Sequence, residues 1–341
     1  MKNSTSLKIA GAVLASALSL MSARADLAIN ENVSLFGYAA GSIQYNKVHG
    51  TNTDTTMDID AAKIGLALNF EPISATVSAY TDTGASDLYL LDAYISYDLG
   101  KNFTLSAGRF LTWFGYEAFD IPETSFITWG TATLFDSLIP DYHEGVRIEH
   151  TCGKHEFGLA ILDSIYSHPG PDDPYRGDGS VRDGLGFELH YGYTAEKWSL
   201  GANLGYQYDR SKDSDYYLEN NRRLIADVWG EYQLDDVTLA AEFYYKYEDR
   251  KGSDSQNTYF AMLMAKQDLS DKVSIGGRMS YGNEQDYGNF WKLSVMPVGY
   301  EVSNNLSIRS EVGYTRYSNG LRDKGEPKYE FFAGVQAVFK F

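Results

Sequence analysis

Apolar and polar residues alternate with a period of two along most of the chain from Asn32 onward. In the segment 197–209, Leu200, Leu204 and Tyr206 share one face, and small or polar residues occupy the positions between them. This alternation is typical of β-strands that bury one face. Sixteen segments follow the pattern, with limits at 32–46, 57–70, 73–81, 87–98, 103–111, 143–151, 155–165, 183–194, 197–209, 222–234, 237–248, 258–268, 272–283, 290–302, 305–317 and 328–341. The sequence therefore predicts an all-β fold.

The connections between these segments differ in length according to their place in the chain. Links after even-numbered strands are short, as at 71–72, 152–154, 235–236, 270–271 and 304. Links after odd-numbered strands are mostly longer, notably 112–142, 166–182, 210–221 and 318–327. Outer-membrane barrels have short periplasmic turns and long extracellular loops. The spacing predicts a transmembrane antiparallel up-and-down β-barrel of about 16 strands.

Composition and charge narrow the class of protein further. Aromatic residues make up 14% of the chain, and many stand near the ends of predicted strands, where interfacial girdles lie. No apolar run approaches the ~20 residues of a membrane-spanning helix, which excludes a helical bundle. The formal net charge of −17 excludes nucleic acid as a partner, because phosphate binding needs a basic face. We expect contact with outer-membrane lipid and lipopolysaccharide instead.

The first 25 residues have the pattern of a cleaved signal peptide. Lys2 and Lys8 precede an apolar stretch at 9–21, and Ala23 and Ala25 frame a small-residue cleavage site. We therefore expect residues 1–25 to direct export and residues 26–341 to form the barrel.

The chain ends on an aromatic residue in register with the apolar face of the last predicted strand. Phe339 and Phe341 resemble the C-terminal signature that the barrel-assembly machinery reads during membrane insertion. The segments 108–117 and 143–147 also resemble the OmpL-like β-barrel porin family. This resemblance implies an outer-membrane barrel with a channel function.

The longest connection, 112–142, is unusually apolar for a loop. It contains Trp113, Phe114, Tyr116, Phe119, Phe126, Trp129 and Phe135, together with five acidic residues and no basic one. Loops this long are usually functional or disordered, and this one resembles the inward-folded third loop of general porins in position and length. We expect its aromatic side chains to pack on the inner wall and its carboxylates, Glu117, Asp120, Glu123 and Asp136, to face the channel. An external lid or a subunit contact is the alternative.

Charged residues on the polar strand faces define the expected lumen wall. The inward acidic residues are Asp92, Glu188, Asp227, Glu231, Glu242 and Glu311, and the inward basic residues are Lys63, Lys246, Lys266, Arg278, Lys292 and Arg309. Arg109 and Arg147 flank the long loop and complete the expected constriction. Arg109 continues an outward-facing row, so either the strand register breaks near it or it lies at the membrane interface. Opposed charges in a water-filled pore screen solutes by polarity, although any single one can also be an ordinary solvated residue.

Two other chemistries receive weaker support from the sequence. Asp172, Asp173, Asp178 and Asp183 are acidic residues in or beside one exposed loop that could supply oxygen ligands to Ca²⁺. They lack EF-hand spacing, so we expect no metal there in the main interpretation. Among enzyme signatures, neither the H-E-x-x-H nor the G-x-S-x-G motif is present.

These patterns together predict a passive channel for small hydrophilic solutes and ions, because a sixteen-stranded barrel leaves an aqueous lumen. Diffusion down a gradient requires no cofactor. A structural or receptor barrel with a plugged lumen and partner-binding loops is the second hypothesis, and a rim-located hydrolase is the third. The sequence leaves the solute, the ion selectivity and the choice between monomer and homotrimer open.

Overall fold

Antiparallel strands account for nearly all of the regular structure in the computed structural model, which describes residues 27–82, 88–117, 119–131, 139–165, 184–209, 222–249, 254–323 and 325–341. The strands are β1 Leu27–Asn30, β2 Val33–Val48, β3 Thr53–Phe70, β4 Ile73–Asp82, β5 Tyr89–Gly100, β6 Phe103–Leu111, β7 Tyr142–Cys152, β8 His155–Leu162, β9 Gly184–Thr194, β10 Trp198–Asp209, β11 Arg222–Leu234, β12 Val237–Asp249, β13 Gln256–Ser270, β14 Val273–Glu284, β15 Gly288–Ser303, β16 Leu306–Tyr317 and β17 Tyr329–Lys340. A 3₁₀ turn covers Ile121–Glu123, and a short α-helix, α1, covers Asn319–Asp323.

The strands from β2 to β17 close into a ring. Each pairs antiparallel with its neighbours along the chain, and β17 returns to β2 with Lys340 opposite Tyr38. The terminal residue continues this seam, since the Phe341 amide donates to the Gly37 carbonyl at 2.9 Å. The ring confirms the predicted sixteen-stranded antiparallel barrel. The short β1, which pairs with the start of β2, was not predicted.

The two faces of the ring carry different chemistry. Large apolar side chains are exposed on the outer face, among them Ile64, Ile95, Leu105, Val228, Leu263, Met279, Leu293 and Val335. Charged and polar side chains are buried on the inner face, among them Lys63, Asp92, Glu188, Asp227, Glu242, Arg278, Arg309 and Glu311. Because strand side chains alternate between faces, this arrangement gives a lipid-compatible exterior and a polar interior. No helix among the described residues is long and apolar enough to span a membrane.

Aromatic pairs occur near both ends of the barrel. Trp198 and Tyr232 lie with ring centroids 4.5 Å apart close to the short 235–236 turn. Trp291 and Tyr314 pair at 5.5 Å towards the opposite end. Amphipathic rings at these heights match the interfacial girdles of outer-membrane barrels.

The lengths of the connections differ between the two ends of the barrel. At one end, turns such as 101–102, 153–154 and 235–236 join adjacent strands directly. Lys101 and Asn102 both adopt positive φ, at 55° and 62°, which is the backbone of a type I′ hairpin turn. The opposite end carries the longer connections, including the segment between β6 and β7 that forms the candidate site.

Candidate functional site

The first limb of the long connection, 112–116, runs across the inner wall of the barrel. Three carboxylates on different strands accept backbone N–H bonds of 3.0 Å from it: Glu188 of β9 from Trp113, Asp227 of β11 from Gly115, and Glu242 of β12 from Tyr116. Asn203 of β10 lies between them and donates its amide to the Trp113 carbonyl at 2.7 Å. Four adjacent strands, β9 to β12, therefore hold this limb by its backbone.

A second limb, 127–131, is held on the other side of the barrel. Glu311 of β16 accepts the amides of Ile127 and Thr128 at 2.7 and 2.8 Å, as well as the Thr128 hydroxyl at 2.7 Å. Arg278 of β14 donates to the Thr128 and Trp129 carbonyls at 2.8 and 3.0 Å. The same guanidinium forms an ion pair with Glu117, which itself accepts the Gly130 amide. Arg278 and Glu117 therefore join the two limbs to each other and to the wall.

A third group of contacts holds the turn between the limbs. The Lys63 ammonium on β3 lies 2.7 Å from Asp120 Oδ2 and 3.0 Å from Asp92 Oδ2 of β5. Arg309 of β16 donates to the Ile121 carbonyl at 3.2 Å and to the Thr124 carbonyl. With these contacts, the described part of the connection is bonded to strands on both sides of the barrel interior.

The aromatic side chains of the connection pack on the inner wall. Trp113 and Phe114 form one buried cluster with Leu162, Tyr244 and Phe260 of the wall. Phe126 packs in a separate cluster with Ala240, Met264 and Met296. The wall also makes room for them, since a Cβ at Gly158 would stand 2.6 Å from the Trp113 ring. Apolar burial therefore adds to the polar contacts that position this segment.

The loop carboxylates do not all face an open channel, which corrects one expectation. Glu117 and Asp120 point to the wall and pair with Arg278 and Lys63, because a carboxylate buried in the lumen needs a counter-charge. Glu123 lines a cavity beside the turn. Asp136 lies outside the described residues.

Arg109 is buried although it continues an outward-facing row. It is 6% exposed, and its Nη1 atom lies 3.2 Å from Glu144 Oε1 across the β6–β7 ladder. The β4–β5 ladder contains the break in register, since Val77 pairs with Ala93 but Ala79 pairs with Leu90. One extra residue in β5 is the signature of a β-bulge. This break lies one strand away from Arg109, whose own ladders stay in register with Ala93 on one side and Glu144 on the other.

Beyond this bulge, both faces of the β6–β7 ladder are covered by protein. Phe110 packs with Leu162 and Phe260 in one cluster, whereas Leu111 and Tyr142 pack with Tyr38 in another. Arg147 lies over the Phe110 and Trp113 rings at 4.4 and 5.3 Å and donates to the Leu111 carbonyl at 3.2 Å. The two arginines therefore stand at the base of the connection, on opposite faces of one ladder.

Two histidines belong to the same site and were not among the expected site residues. His143 is wholly buried, with Nε2 3.2 Å from Glu188 Oε2. His190 stacks on Trp113 with ring centroids 5.1 Å apart and shares a 2.7 Å hydrogen bond with Asn203. The alternation of side chains along β7 and β9 places both histidines on the inward face, and this sequence signal could have marked them as candidates.

The remaining wall residues also contact the connection or each other. Glu231 accepts the Tyr116 hydroxyl at 2.7 Å, and burial together with this carboxylate raises the pKa of the Tyr116 phenol. Asp92 accepts the Ser78 hydroxyl at 2.6 Å. The four candidate calcium ligands in and beside the 166–182 loop lie outside the described residues. No cluster of metal-ligating side chains occurs among the residues that the structure describes.

The barrel is closed and sixteen-stranded, with an apolar exterior and a polar lumen, and the connection between β6 and β7 lies inside it. These features define the class of outer-membrane channels. The chain belongs to the family described as "Putative beta-barrel porin-2, OmpL-like", whose model matches residues 28–341. It is therefore an outer-membrane porin that allows passive diffusion.

Solved structures of outer-membrane proteins share the fold at low sequence identity. OmpT of Vibrio cholerae is 14% identical with a TM-score of 0.65, over 92% of this chain and 100% of that chain. An anion-selective porin from Comamonas acidovorans is 12% identical with a TM-score of 0.67, over 91% and 99%. OmpF of Salmonella typhi, solved with daunomycin, is 13% identical with a TM-score of 0.64, over 93% and 100%. No curated protein sequence matches the chain.

Proposed function

We propose that this porin is a narrow diffusion channel whose passage for small hydrophilic solutes and ions is set by the connection 112–142. The observation that carries this proposal is the row of hydrogen bonds that Glu188, Asp227 and Glu242 accept from backbone N–H groups of the first limb. Because the wall carboxylates bind backbone amides, they fix the position of the limb independently of its side chains. Such fixation suits a permanent constriction better than a loop that opens to admit a partner.

The constriction that we propose combines loop and wall residues. Trp113 and Tyr116 supply bulk, and the Glu117, Asp120 and Arg147 contacts hold the segment in place. The proposed constriction also includes Arg109 at the base of the connection and Glu123 at the turn between its limbs. Asp136 belongs to it on the sequence pattern alone. The lumen wall consists of Asp92, Asp227, Glu231, Glu242, Arg278, Arg309 and Glu311.

Weak cation selectivity follows from the distribution of charge. Several lumen charges form ion pairs, such as Arg278 with Glu117 and Lys63 with Asp120. Each pair contributes little net electrostatic field to the pore. The formal net charge of −17 becomes more negative when residues 1–25 are cleaved, because that segment has three basic residues and no acidic one, and this charge favours cations at the mouths. Screening limits this preference to about 8 Å at physiological ionic strength.

A sealed barrel with a structural or receptor role is the second candidate. The observation that favours it is the number of strands that hold the connection, namely β3, β9–β12 and β14–β16. A segment bonded to both sides of the lumen leaves less room than one lying along a single wall. Ion conductance distinguishes the two candidates.

Export and assembly complete the proposal. Residues 1–25 act as a cleaved signal peptide, and Phe339 and Phe341 are read by the barrel-assembly machinery. In the membrane, the outer face contacts lipid and lipopolysaccharide. A trimeric form of OmpT of Vibrio cholerae, a relative by fold, supports a homotrimer for this chain as well. The channel needs no cofactor, since the solute gradient drives transport.

Deletion of about 125–134 tests the constriction. The deletion removes Phe126 and Trp129 together with the amides that bind Glu311, and leaves both base arginines in place. We expect higher single-channel conductance and entry of larger sugars in liposome swelling, with the barrel still resistant to detergent. A folded deletion variant with unchanged conductance would assign the connection to a lid or a subunit contact.

A further inference from the structure

Two basic side chains of the outer face lie near the end of the barrel that carries the longer connections. Lys47 precedes the last residue of β2, and Arg316 precedes the last residue of β16. Both side chains are exposed, and they share the outer face with apolar residues such as Ile43 of β2 and Val312 of β16. Neither cation forms an ion pair with any residue that the structure describes.

The strand neighbours of these two cations are uncharged, unlike those of Arg222 at the same end of the outer face. Arg222 stands opposite Asp249 of β12, and its guanidinium lies 5.9 Å from the centre of the Tyr208 ring. The residues opposite Lys47 are Thr53 and Phe331, and those opposite Arg316 are Trp291 and Tyr329. The adjacent strands therefore supply no counter-charge for Lys47 or Arg316.

Lys47 and Arg316 flank β17, the strand that closes the ring. Lys47 pairs with Phe331, and Arg316 pairs with Tyr329, which lies two residues earlier on the same strand. Strands about 4.8 Å apart that rise about 3.4 Å per residue place the two Cα atoms about 12 Å apart. Both side chains are long and flexible, so the ammonium and the guanidinium can reach one anionic headgroup.

A chain of aromatic rings lies between the two cations and beside them. The His49 and Tyr314 rings lie 5.0 and 6.0 Å from the Tyr329 ring, and the Trp291 ring lies 5.5 Å from the Tyr314 ring. Aromatic side chains of this kind mark the height of lipid headgroups at the membrane interface. Towards the middle of the barrel, the same face exposes apolar side chains, among them Ile43, Leu293, Val312 and Val335. The two cations therefore lie at headgroup height, next to a surface that suits acyl chains.

We propose that this surface, formed by Lys47, His49, Trp291, Tyr314, Arg316 and Tyr329, binds the phosphorylated sugar headgroup of a lipopolysaccharide molecule in the outer leaflet. Lys47 and Arg316 bind phosphate oxygens, because an ammonium supplies a point charge and a guanidinium supplies a fork that matches phosphate. The aromatic rings pack against the sugars, and the apolar residues nearer mid-membrane contact the acyl chains. The inference deepens the proposed contact with lipopolysaccharide, and it rests on the proposed orientation, in which the longer connections are extracellular.

Titration of the full-length chain in detergent, followed by native mass spectrometry, tests the site with lipid A as the probe. Wild-type barrels should bind bis-phosphorylated lipid A at least about fivefold more tightly than phosphatidylglycerol, which has a single phosphate. Lys47→Ala and Arg316→Ala should each weaken lipid A binding about fivefold, the contribution of one basic residue near an anionic membrane surface, and the double variant about 25-fold. Arg316→Lys keeps the charge and should keep most of the affinity. Because the two cations flank the strand that closes the ring, bound lipid A should also raise the temperature at which wild-type barrels unfold.

Two variants control for the general loss of a positive charge. Arg222→Ala removes another outward cation at the same end, and Lys272→Ala removes an exposed one from a short turn at the opposite end. Both should bind lipid A as the wild type does. Detergent-resistant, heat-modifiable mobility on gels reports that every variant has formed its barrel.

The outcomes separate this inference from the channel proposal. Equal affinity of the wild type for lipid A and phosphatidylglycerol would overturn the glycolipid site, as would unchanged lipid A affinity in the folded double variant. Displacement of bound lipid A by millimolar inorganic phosphate would overturn it as well, because the surface would then select a free anion. Barrels that conduct ions but do not bind lipid A would overturn this inference alone. Barrels that bind lipid A but carry no ionic current would instead refute the channel proposal and leave the site intact.

Discussion

Removing the Glu311 side chain is expected to release the second limb of the connection from the wall. This buried carboxylate accepts three hydrogen bonds from Ile127 and Thr128 and lies 3.5 Å from Arg278. Hydrogen bonds to charged groups contribute roughly 1.5–3 kcal/mol each. Lumen water can solvate the released amides, so we expect a net loss of about 2–4 kcal/mol for Glu311→Ala. At about 1.4 kcal/mol per tenfold, the ratio of detached to attached limb rises about 30- to 700-fold.

Single-channel recording in planar bilayers measures this shift directly. The Glu311→Ala variant should show a new or more frequent state of higher conductance than the wild type. Glu301→Ala is the matched control, because that carboxylate is exposed at the opposite end of the barrel, near the short turn that joins β15 to β16. If Glu311→Ala folds and its state distribution equals that of Glu301→Ala, the limb is not held by this carboxylate and the reasoning is wrong.

Three further predictions concern assembly, orientation and selectivity. Deletion of Phe341, whose backbone pairs with Gly37 at the closing seam, should sharply reduce the yield of heat-modifiable barrel; a normal yield would contradict the assembly role. A protease-cleavable tag at 170–180 should be cut on intact cells and one at 235–236 protected, and the reverse pattern would invert the topology. Glu117→Lys and Asp120→Lys should move the reversal potential towards anion selectivity more than Asp173→Lys does, because each replaces the partner of a lumen cation with a second positive charge. An equal shift in all three variants would place the selective zone at the mouth.

The strands could be predicted closely because their signal is local. The alternation of apolar and polar residues gave 103–111 and 222–234, and these limits match Phe103–Leu111 and Arg222–Leu234. The four-residue β1 is too short to show a period, and α1 is a single turn. Side-chain alternation also identified the inward face correctly for Asp227, Glu242 and Arg278, which are all buried there.

The partners of the loop carboxylates could not be predicted from the sequence. A loop has no periodicity, so the direction of Glu117 and Asp120 depends on contacts with residues far along the chain. Glu117 meets Arg278 and Asp120 meets Lys63 at separations of 161 and 57 residues. Arg109 presented the same difficulty, since its contacts, Tyr142 and Glu144, lie on β7 beyond the long connection.

Ionic current through the unmodified protein tests the central claim most directly. Single barrels in a planar bilayer, bathed in unequal concentrations of potassium chloride, give both a conductance and a reversal potential. A narrow passive channel predicts a small, steady conductance with a reversal potential displaced slightly towards cation selectivity. Folded, inserted barrels that carry no current would contradict the account and identify the connection 112–142 as a plug.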